Sequence, residues 1–435
     1  MVALCTSALG RYDPIDDDRD RRVGGRRDAV RGRSSCTPVD DGEASLTAAP
    51  RLHVAFLGHA ARFSGAEIEL LRFVRAAGAV RCTVLLAEDG PMAPALREAG
   101  AAVEIIALSE RARGLKRTEV RAGRIQAAAA LDVARYVGVL HRRLGRLRPD
   151  VVGAISLKAG AYGAPAARLS RLPFVWHLHD QIDSSYLARG AVLPMRAMIA
   201  TLPSAVISPS RTTLETVGRF RRGVRTAIVP HPIPTQPGRM AVRDRVRRIG
   251  IVGRLAPWKG QDVFLRAFAC AVPEPDVRAV IVGSAIFGEE DYASELRALA
   301  GQLGVANRVE FTGFRQDVGA EFRRLDLLVH ASVLTEPFGT VVFEAMAAGL
   351  PVIAARSGGV AEYVEHGRSG LLHAPGDHGE LAAMLRLALD DHELRCRLAA
   401  AGHELTRSFA PERIAARWID IYEQVRGRAR PDALR

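Results

Sequence analysis

Two glutamates eight positions apart are the first residues of this sequence whose type and spacing suggest chemistry. Glu336 and Glu344 lie in the stretch TEPFGTVVFEAMAAG, on either side of a Pro-Phe-Gly. Because Pro337 favours extended backbone at the residue before it, Glu336 is expected in a loop after the apolar run DLLVHAS. The same reasoning predicts a helix that begins near Gly339 or Thr340. Glu344 then falls in the second turn of that helix.

Helix capping does not account for Glu344. A capping box that begins at Thr340 needs Glu or Gln three residues later, where the chain has Phe343. The surrounding alanines, with Gly349 as the residue that ends the helix, predict close packing on a sheet. A carboxylate in such a place needs a polar partner, and the hydroxyl pair of a bound sugar or ribose would serve.

The start of the same helix is a predicted anion site. The first N–H groups of a helix have no intrahelical partner and carry a partial positive charge. We therefore expect Gly339, Thr340 and Val341 to face a diphosphate, and we assign Phe338, directly before them, to the same binding loop.

Two cationic side chains follow another apolar run. In GIVGRLAPWKG, Arg254 comes directly after a predicted strand, and Lys259 stands at the entry to a predicted helix that runs to about Val272. A guanidinium offers a planar fork for phosphate oxygens and an ammonium adds a mobile charge, so the pair could bind a diphosphate. The spacing is not that of a P-loop, and a solvated loop is the alternative interpretation.

Gly65 opens a helix elsewhere in the chain. It lies in SGAEIELL, after the first apolar run, where a glycine would let backbone N–H groups approach an anion. A plain turn residue is the alternative.

The order of apolar runs predicts the elements that position these residues. Short apolar runs alternate with amphipathic stretches from Leu52 onward, and a second series of the same kind begins at RIGIVGR. This rhythm predicts an α/β protein with two Rossmann-like domains that face each other across a cleft, with ligands at the carboxyl ends of the strands. The predicted divisions are a disordered tail at 1–50, an N-terminal acceptor domain at 51–235, a linker at 236–247, a C-terminal donor domain at 248–412, and a helix at 413–435 that packs back on the N-terminal domain.

The charge of the chain is concentrated in two segments. The net charge is +13, yet residues 111–148 alone hold eleven Lys or Arg against two acidic residues, and 219–248 hold nine against one. Such local basic surfaces suit an anionic membrane or an anionic acceptor as well as they suit nucleic acid, which we do not expect as a partner, and solvated helix faces are the bland alternative.

Composition sets the expected compartment. Five cysteines without a C-x-x-C pattern argue against a disulfide framework and a zinc site. The first ten residues lack a basic start and no long uncharged apolar run occurs, so we expect neither a signal peptide nor a membrane span. We predict a cytoplasmic protein, with membrane association at most peripheral.

The motif that contains the two glutamates resembles the E-x7-E signature of retaining glycosyltransferases of family 4. The resemblance includes Arg254 and Lys259, covers about residues 52–427, and implies the GT-B fold. It implies transfer of a sugar from a nucleotide diphosphate sugar, with retention, to a glycan, lipid-linked or small-molecule acceptor. No cofactor and no metal are implied. An Asp16-Asp17-Asp18 run has the D-x-D pattern of metal-dependent transferases, but it lies in the tail.

The resemblance also implies roles for individual residues. Arg254 and Lys259 would hold the diphosphate, Glu344 the ribose and Glu336 the donor sugar, while Gly65 would cover the phosphates from the N-terminal domain. In FVWHLHDQI, His179 matches a histidine of the family near the sugar better than His177, which shares its strand face. We therefore expect His179 and Glu336 at the reaction centre.

Two departures from the family pattern are visible. His231-Pro232 stands where the family usually has Asn-Gly, and Ser64-Gly65 stands where it usually has Gly-Gly. Two other functions remain alternatives: a sugar-nucleotide isomerase on the same fold, and a non-catalytic binder of sugar nucleotides or polyanions.

Overall fold

A computed structural model describes residues 52–114, 124–234, 241–285 and 288–429 of the 435-residue chain. The predicted disordered tail, with its three aspartates, lies outside the described residues. So do residues 236–240 of the predicted linker and parts of both basic segments.

The N-terminal lobe is built on a sheet of seven parallel strands in the order β3-β2-β1-β4-β5-β6-β7. Strands buried on both faces read as continuous apolar runs, which is why the sequence signal was clear. The strands are β1 His53–Gly58, β2 Arg81–Leu86, β3 Ala102–Ile105, β4 Val151–Ala154, β5 Phe174–His177, β6 Ala205–Ser208 and β7 Arg225–Ile228.

Helices cover both faces of this sheet, and each face has its own apolar core. Pro165 and Pro194 lie inside two of them. The helices are α1 Gly65–Ala76, α2 Met92–Glu98, α3 Glu110–Arg113, α4 Arg124–Leu147, α5 Leu157–Leu169, α6 Arg189–Thr201 and α7 Arg211–Glu215.

The C-terminal lobe repeats this plan with six parallel strands in the order β10-β9-β8-β11-β12-β13. They are β8 Arg248–Val252, β9 Arg278–Val282, β10 Val309–Gly313, β11 Leu327–His330, β12 Val352–Ala355 and β13 Leu371–His373. The helices that pack on them are α8 Gln261–Ala271, α9 Glu290–Gln302, α10 Val318–Arg324, α11 Thr340–Ala348, α12 Gly358–Tyr363, α13 His378–Asp390 and α14 His392–Arg407. Two Rossmann-like sheets of this kind confirm the predicted α/β GT-B architecture.

The last helix returns to the N-terminal lobe. Helix α15, Pro411–Ala429, places Trp418 and Tyr422 in the core beside β1 and α1, where the Trp418 ring stacks on Phe73 with 4.7 Å between ring centroids. The chain crosses between lobes directly before this helix and again after β7. The two crossings are joined by a backbone hydrogen bond from the Ile233 N–H to the Phe409 carbonyl at 2.8 Å.

Replacing Trp418 with alanine tests the contribution of this returning helix. The side chain is fully buried, so Trp418→Ala is expected to lower the free energy of unfolding by about 3 to 5 kcal/mol. Denaturant melts would measure the change. Arg413→Ala, at an exposed position of the same helix, is the matched control and should stay within about 0.5 kcal/mol of the parent. Equal stability of the two variants would contradict this description of α15.

Candidate active site in the cleft

The strand orders of both lobes point to the same kind of site. In each sheet the order reverses beside the first strand, between β1 and β4 and between β8 and β11. Ligands of open parallel sheets bind at the carboxyl ends of strands next to such a reversal. The residues singled out in the sequence follow the ends of β1, β5, β8 and β11.

Arg254 and Lys259 flank an indole ring after β8. The ring of Trp258 has the Arg254 guanidinium carbon at 5.4 Å and the Lys259 Nζ at 4.4 Å from its centroid. Arg254 also pairs with Glu289, with 3.4 Å between Nε and Oε2. The ring therefore keeps two cations close together at a strand end, as a diphosphate site requires.

A glycine sets the position of Lys259. The helix predicted to begin at Lys259 begins instead at Gln261, because a 3-10 turn, Pro257–Lys259, ends at Gly260 with φ of 71°. A Cβ on Gly260 would lie 2.0 Å from the carbonyl oxygen of Ala331, in the loop after β11. Only glycine lets the two strand-end loops come this close.

Glu336 is the centre of a polar cluster in the loop after β11. Its Oε1 accepts from Lys259 Nζ at 2.7 Å and lies 3.0 Å from His330 Nε2, and the Ser332 hydroxyl donates to it as well. Burial alone would raise the pKa of Glu336, but Lys259 and His330 outweigh burial and hold it well below its ordinary value. The carboxylate is therefore ionised at neutral pH.

Two glycines of α12 pack against the main chain of this loop. A Cβ on Gly358, whose φ is 55°, would lie 2.0 Å from the carbonyl oxygen of Glu336, and one on Gly359 would lie 2.6 Å from the Cα of Phe338. The Gly359 N–H also donates to the Glu336 carbonyl at 3.2 Å. The stretch GGVAEY thus holds the Glu336 loop in place.

Helix α11 begins where the sequence predicted. Thr340 is its first residue and Gly339 its left-handed N-cap, and Gly349 ends it. The ring of Phe338 does not face the cleft, since it is 1% exposed and stacks on Phe343 at 4.4 Å. The side chain of Phe338 is therefore a core residue, and a donor could contact only its main chain; its assignment to donor binding stays a prediction.

Glu344 has a protein partner that the sequence interpretation missed. It forms an ion pair with Arg72 of helix α1, in the opposite lobe, and Arg72 also donates to the Pro232 carbonyl at 3.0 Å. The polar partner expected from the burial of Glu344 exists, and it is a cation. Arg72 was detectable in principle, as a charged residue between Leu71 and Phe73, both on the buried side of α1.

His179 lies next to two further residues that the sequence interpretation missed. Its Nδ1 is 3.2 Å from Nε2 of His231 and 3.2 Å from Oε2 of Glu69. Burial lowers the pKa of His179 to about 4. By contrast, His177 is fully buried against Tyr422, whose hydroxyl lies 2.8 Å from His177 Nε2, so of the two histidines His179 reaches the cleft.

His231 joins the two lobes at the start of α11. Its Nδ1 lies 2.9 Å from the Thr340 hydroxyl, and its ring centroid lies 4.8 Å from that of Phe338. Burial, and then the neighbouring His179 and Arg72, lowers the pKa of His231 well below its ordinary value. The sequence feature that could have pointed to His231 was the departure from the Asn-Gly that the family usually has at this position.

Gly65 begins helix α1, and nothing lies within 4 Å of the place where its Cβ would be. The packing of the protein therefore does not require a glycine there. Its predicted contact with phosphates stays a prediction.

A carboxylate also connects the lobes away from the strand ends. Glu362 of α12 accepts from the N–H groups of Arg211 and Thr212 at 2.8 and 2.6 Å, and from the Thr212 hydroxyl at 2.6 Å. These contacts, called the Glu362 bridge below, place an anion at the amino end of α7, where it is favoured. Tyr363 adds a hydrogen bond to the Pro209 carbonyl at 2.9 Å.

Two family profiles match the chain, one on each side of the crossing between the lobes. Residues 234–405 match the family described as Glycosyl transferases group 1, and residues 92–237 match Glycosyltransferase Family 4. Among the described helices, none combines the length and the apolarity that a membrane span requires.

Curated relatives match part of the chain. The D-inositol 3-phosphate glycosyltransferase of Corynebacterium glutamicum is 35% identical over 182 residues, which are 40% of this chain and 42% of that protein. The protein of the same name from Streptomyces avermitilis is 30% identical over 307 residues, 63% of this chain and 65% of that protein. The match thus spans less than two thirds of the length of either relative.

A solved structure matches across both lobes. HepE of Anabaena in complex with UDP and glucose is 29% identical, with a TM-score of 0.71, and the match covers 85% of this chain and 99% of HepE. The HepE complex with UDP-glucose is 28% identical, with a TM-score of 0.72 and coverage of 86% and 100%.

Removing the Glu362 bridge is expected to favour an open cleft. Glu362→Ala deletes three charge-assisted hydrogen bonds between the lobes, so the ratio of open to closed molecules should rise several-fold. Small-angle X-ray scattering would record a larger radius of gyration. Glu365→Ala is the control, since Glu365 pairs within its own lobe, with Arg368. Identical scattering of both variants and the parent would show that the bridge does not hold the cleft closed.

Proposed function

The chain belongs to the glycosyltransferases of group 1 and family 4, and we propose that it transfers a sugar from a nucleotide diphosphate sugar to an acceptor. The observation that carries the proposal is the convergence of Arg254, Lys259, Glu336 and the start of α11 at the carboxyl ends of β8 and β11. HepE, similar along almost its whole length, binds UDP-glucose. A UDP-sugar is therefore the first donor to test.

The diphosphate of the donor is the proposed ligand of the cations. Arg254 would hold phosphate oxygens with its planar fork, and Lys259 would add a second charge beside it. The N–H groups of Gly339, Thr340 and Val341, at the positive end of α11, would complete the site. These groups would stabilise the charge of the departing nucleotide diphosphate, so the transfer step itself needs no metal in this proposal.

The carboxylates are the proposed ligands of the sugar and the ribose. Glu336 is held ionised by Lys259 and His330 and would accept from donor sugar hydroxyls. Glu344, placed at the cleft by Arg72, would accept from the ribose hydroxyls. In this arrangement His179 would approach the sugar with its Nε2 atom, which is buried and has no hydrogen-bond partner among the described residues.

The proposed reaction retains the configuration at the anomeric carbon by substitution on one face of the sugar. The acceptor oxygen would form its bond to that carbon on the side from which the nucleotide diphosphate leaves, and the acceptor proton would pass to the leaving phosphate. The N-terminal lobe would hold the acceptor, and closure of the cleft would exclude water and limit donor hydrolysis.

The proposed acceptor is a glycan, a lipid-linked sugar or a small-molecule glycoside. Two curated relatives are named for a small phosphorylated acceptor, inositol 3-phosphate. We place the enzyme in the cytoplasm, a location supported by the buried Cys82, whose thiol is not in a disulfide.

Peripheral contact with an anionic membrane is a further part of the proposal. Helix α4 exposes a stripe of arginines and apolar side chains, which we call the α4 stripe. Arginine beside exposed aliphatic groups suits the interface of an anionic bilayer. The α4 stripe consists of Leu131, Arg135, Val139, Arg142 and Arg146.

Donor turnover tests the proposed activity. Release of nucleotide diphosphate from UDP-, GDP- and dTDP-sugars is measured with a panel of acceptors, and the anomeric proton coupling of the product reports retention. Arg254→Ala should raise the KM or Kd for the donor about 10- to 150-fold, since a hydrogen bond to a charged group contributes about 1.5 to 3 kcal/mol. Arg266→Ala, at an exposed position of α8, is the matched control.

The rival functions give different outcomes in the same assay. A sugar-nucleotide isomerase would convert the donor without releasing nucleotide diphosphate, and a non-catalytic binder would bind the donor and leave it unchanged. Equal donor affinity of Arg254→Ala and the parent would contradict the assignment of Arg254 to the diphosphate site.

Vesicle flotation tests the membrane contact. The parent is expected to float with vesicles that contain phosphatidylglycerol, to float less at high salt, and not to float with phosphatidylcholine alone. Replacing Arg135, Arg142 and Arg146 with glutamate should lower the bound fraction at least about tenfold, since each basic residue contributes about 1 kcal/mol near such a surface. The control replaces Arg397, Arg407 and Arg413 in the same way. Equal loss in both variants would contradict a specific role of α4.

A further inference from the structure

Three potential ligand atoms lie together beside the cleft. They are Oε2 of Glu69 in α1, Nδ1 of His179 after β5 and Nε2 of His231 after β7. His179 Nδ1 is 3.2 Å from both of the other two atoms, and His231 Nε2 is 3.4 Å from Glu69 Oε2. We call these residues the Glu-His-His cluster.

Hydrogen bonds within the protein do not satisfy this cluster. Between two of its members the structure has one hydrogen bond among the described residues, that of His179 with His231, and Glu69 Oε2 is buried without a hydrogen-bond partner among these residues. Glu69 as a whole is only 3% exposed. A buried carboxylate oxygen with no partner is costly, so its environment calls for a cation.

The three distances fit the coordination of a metal ion. Metal bonds of about 2.0 to 2.1 Å in tetrahedral directions put neighbouring ligand atoms about 3.3 to 3.4 Å apart. The three edges of the cluster are 3.2, 3.2 and 3.4 Å, whereas charge-assisted hydrogen bonds are shorter, about 2.7 to 2.9 Å. The cluster therefore has the dimensions of one face of a tetrahedron.

We propose that Glu69, His179 and His231 bind one divalent transition metal ion, for which Zn²⁺ is the best match to two imidazoles and a carboxylate. The sequence-based expectation that the chain holds no metal stays a prediction, and metal titration decides between the two. All three ligands come from the N-terminal lobe or the crossing that leaves it.

The partners of the ligands support this assignment. A metal-bound histidine usually donates its other ring N–H to a hydrogen-bond acceptor, and His231 Nδ1 lies 2.9 Å from the Thr340 hydroxyl. The nearby guanidinium of Arg72 does not oppose a cation strongly, because it is already paired with Glu344.

A metal at this site would position groups for the proposed transfer, a role that rests on the proposed function. Ligation through His179 Nδ1 puts its proton on Nε2, the atom available to a sugar hydroxyl. Ligation through His231 Nε2 puts its proton on Nδ1, which then donates to Thr340 at the start of α11. The metal would fix both tautomers and tie the N-terminal lobe to the diphosphate site.

Metal titration of the full chain tests the proposal without any donor. The protein is purified with a tag that contains no histidine, stripped with a chelator, and titrated with Co²⁺ while its visible absorption is followed. Zn²⁺ then competes, and elemental analysis gives the stoichiometry. We expect one ion per chain and the absorption of a four-coordinate Co²⁺ site.

The variants decide whether the cluster is the site. Glu69→Gln and His231→Asn should each weaken Zn²⁺ binding at least about 100-fold, because even changes to the hydrogen-bond partners of metal ligands cost about 10- to 100-fold. His141→Asn, which alters a histidine bonded to Ser170 outside the cluster, should bind as the parent does. If a ligand variant does not fold, Thr340→Val keeps all three ligands and should still weaken binding about 10-fold or more.

Two results would overturn the proposal. One is less than a tenth of an ion per chain in the parent at saturating Zn²⁺. The other is equal affinity in the parent, Glu69→Gln, His231→Asn and Thr340→Val, which would mean adventitious binding elsewhere. Either result leaves glycosyl transfer untouched, since donor turnover is measured separately.

Discussion

The need of each buried carboxylate for a positive or hydrogen-bonding partner organises the whole cleft. Glu336 is paired with Lys259 inside the C-terminal lobe, and Glu344 is paired with Arg72 across the cleft. Because burial makes an unpaired charge costly, these pairs fix where the loops after β8 and β11 and the helices α1 and α11 can lie. Oε2 of Glu69 is buried without a hydrogen-bond partner among the described residues and has two imidazole nitrogens at 3.2 and 3.4 Å, and it is where we place a metal.

The same pairing has a consequence for donor binding. The cations that would hold a diphosphate already have carboxylate partners: Glu289 for Arg254 and Glu336 for Lys259. In the proposed function a donor would exchange partners within a preorganised set of charges, which would avoid most of the cost of ordering flexible side chains. The Glu362 bridge and the contact of His231 with Thr340 join the N-terminal lobe to that set. Donor binding and closure of the cleft would then be linked through these contacts.

The sequence predicted local features well because they depend on local physics. The strands were visible as apolar runs, and the start of α11 followed from Pro337 and Gly339. Prediction was poorer wherever distant residues meet. Nothing local indicates that Arg72 reaches Glu344, which lies 272 positions away, or that Glu69, His179 and His231 converge. The position of the Phe338 ring could not be predicted for the same reason, since its place in a core of aromatic rings depends on Phe343, Tyr363 and Phe409. Gly260 is a further example of a constraint that the local sequence does not show. A glycine is needed there because Ala331, in a separate loop, lies so close.

The position of the diphosphate in a crystal structure of the chain with UDP or a UDP-sugar tests the central claim most directly. The account predicts phosphate oxygens at about 3 Å from the Arg254 guanidinium, from Lys259 Nζ and from the N–H groups at the start of α11. A nucleotide whose diphosphate lies elsewhere, with no contact to Arg254 or Lys259, would contradict it.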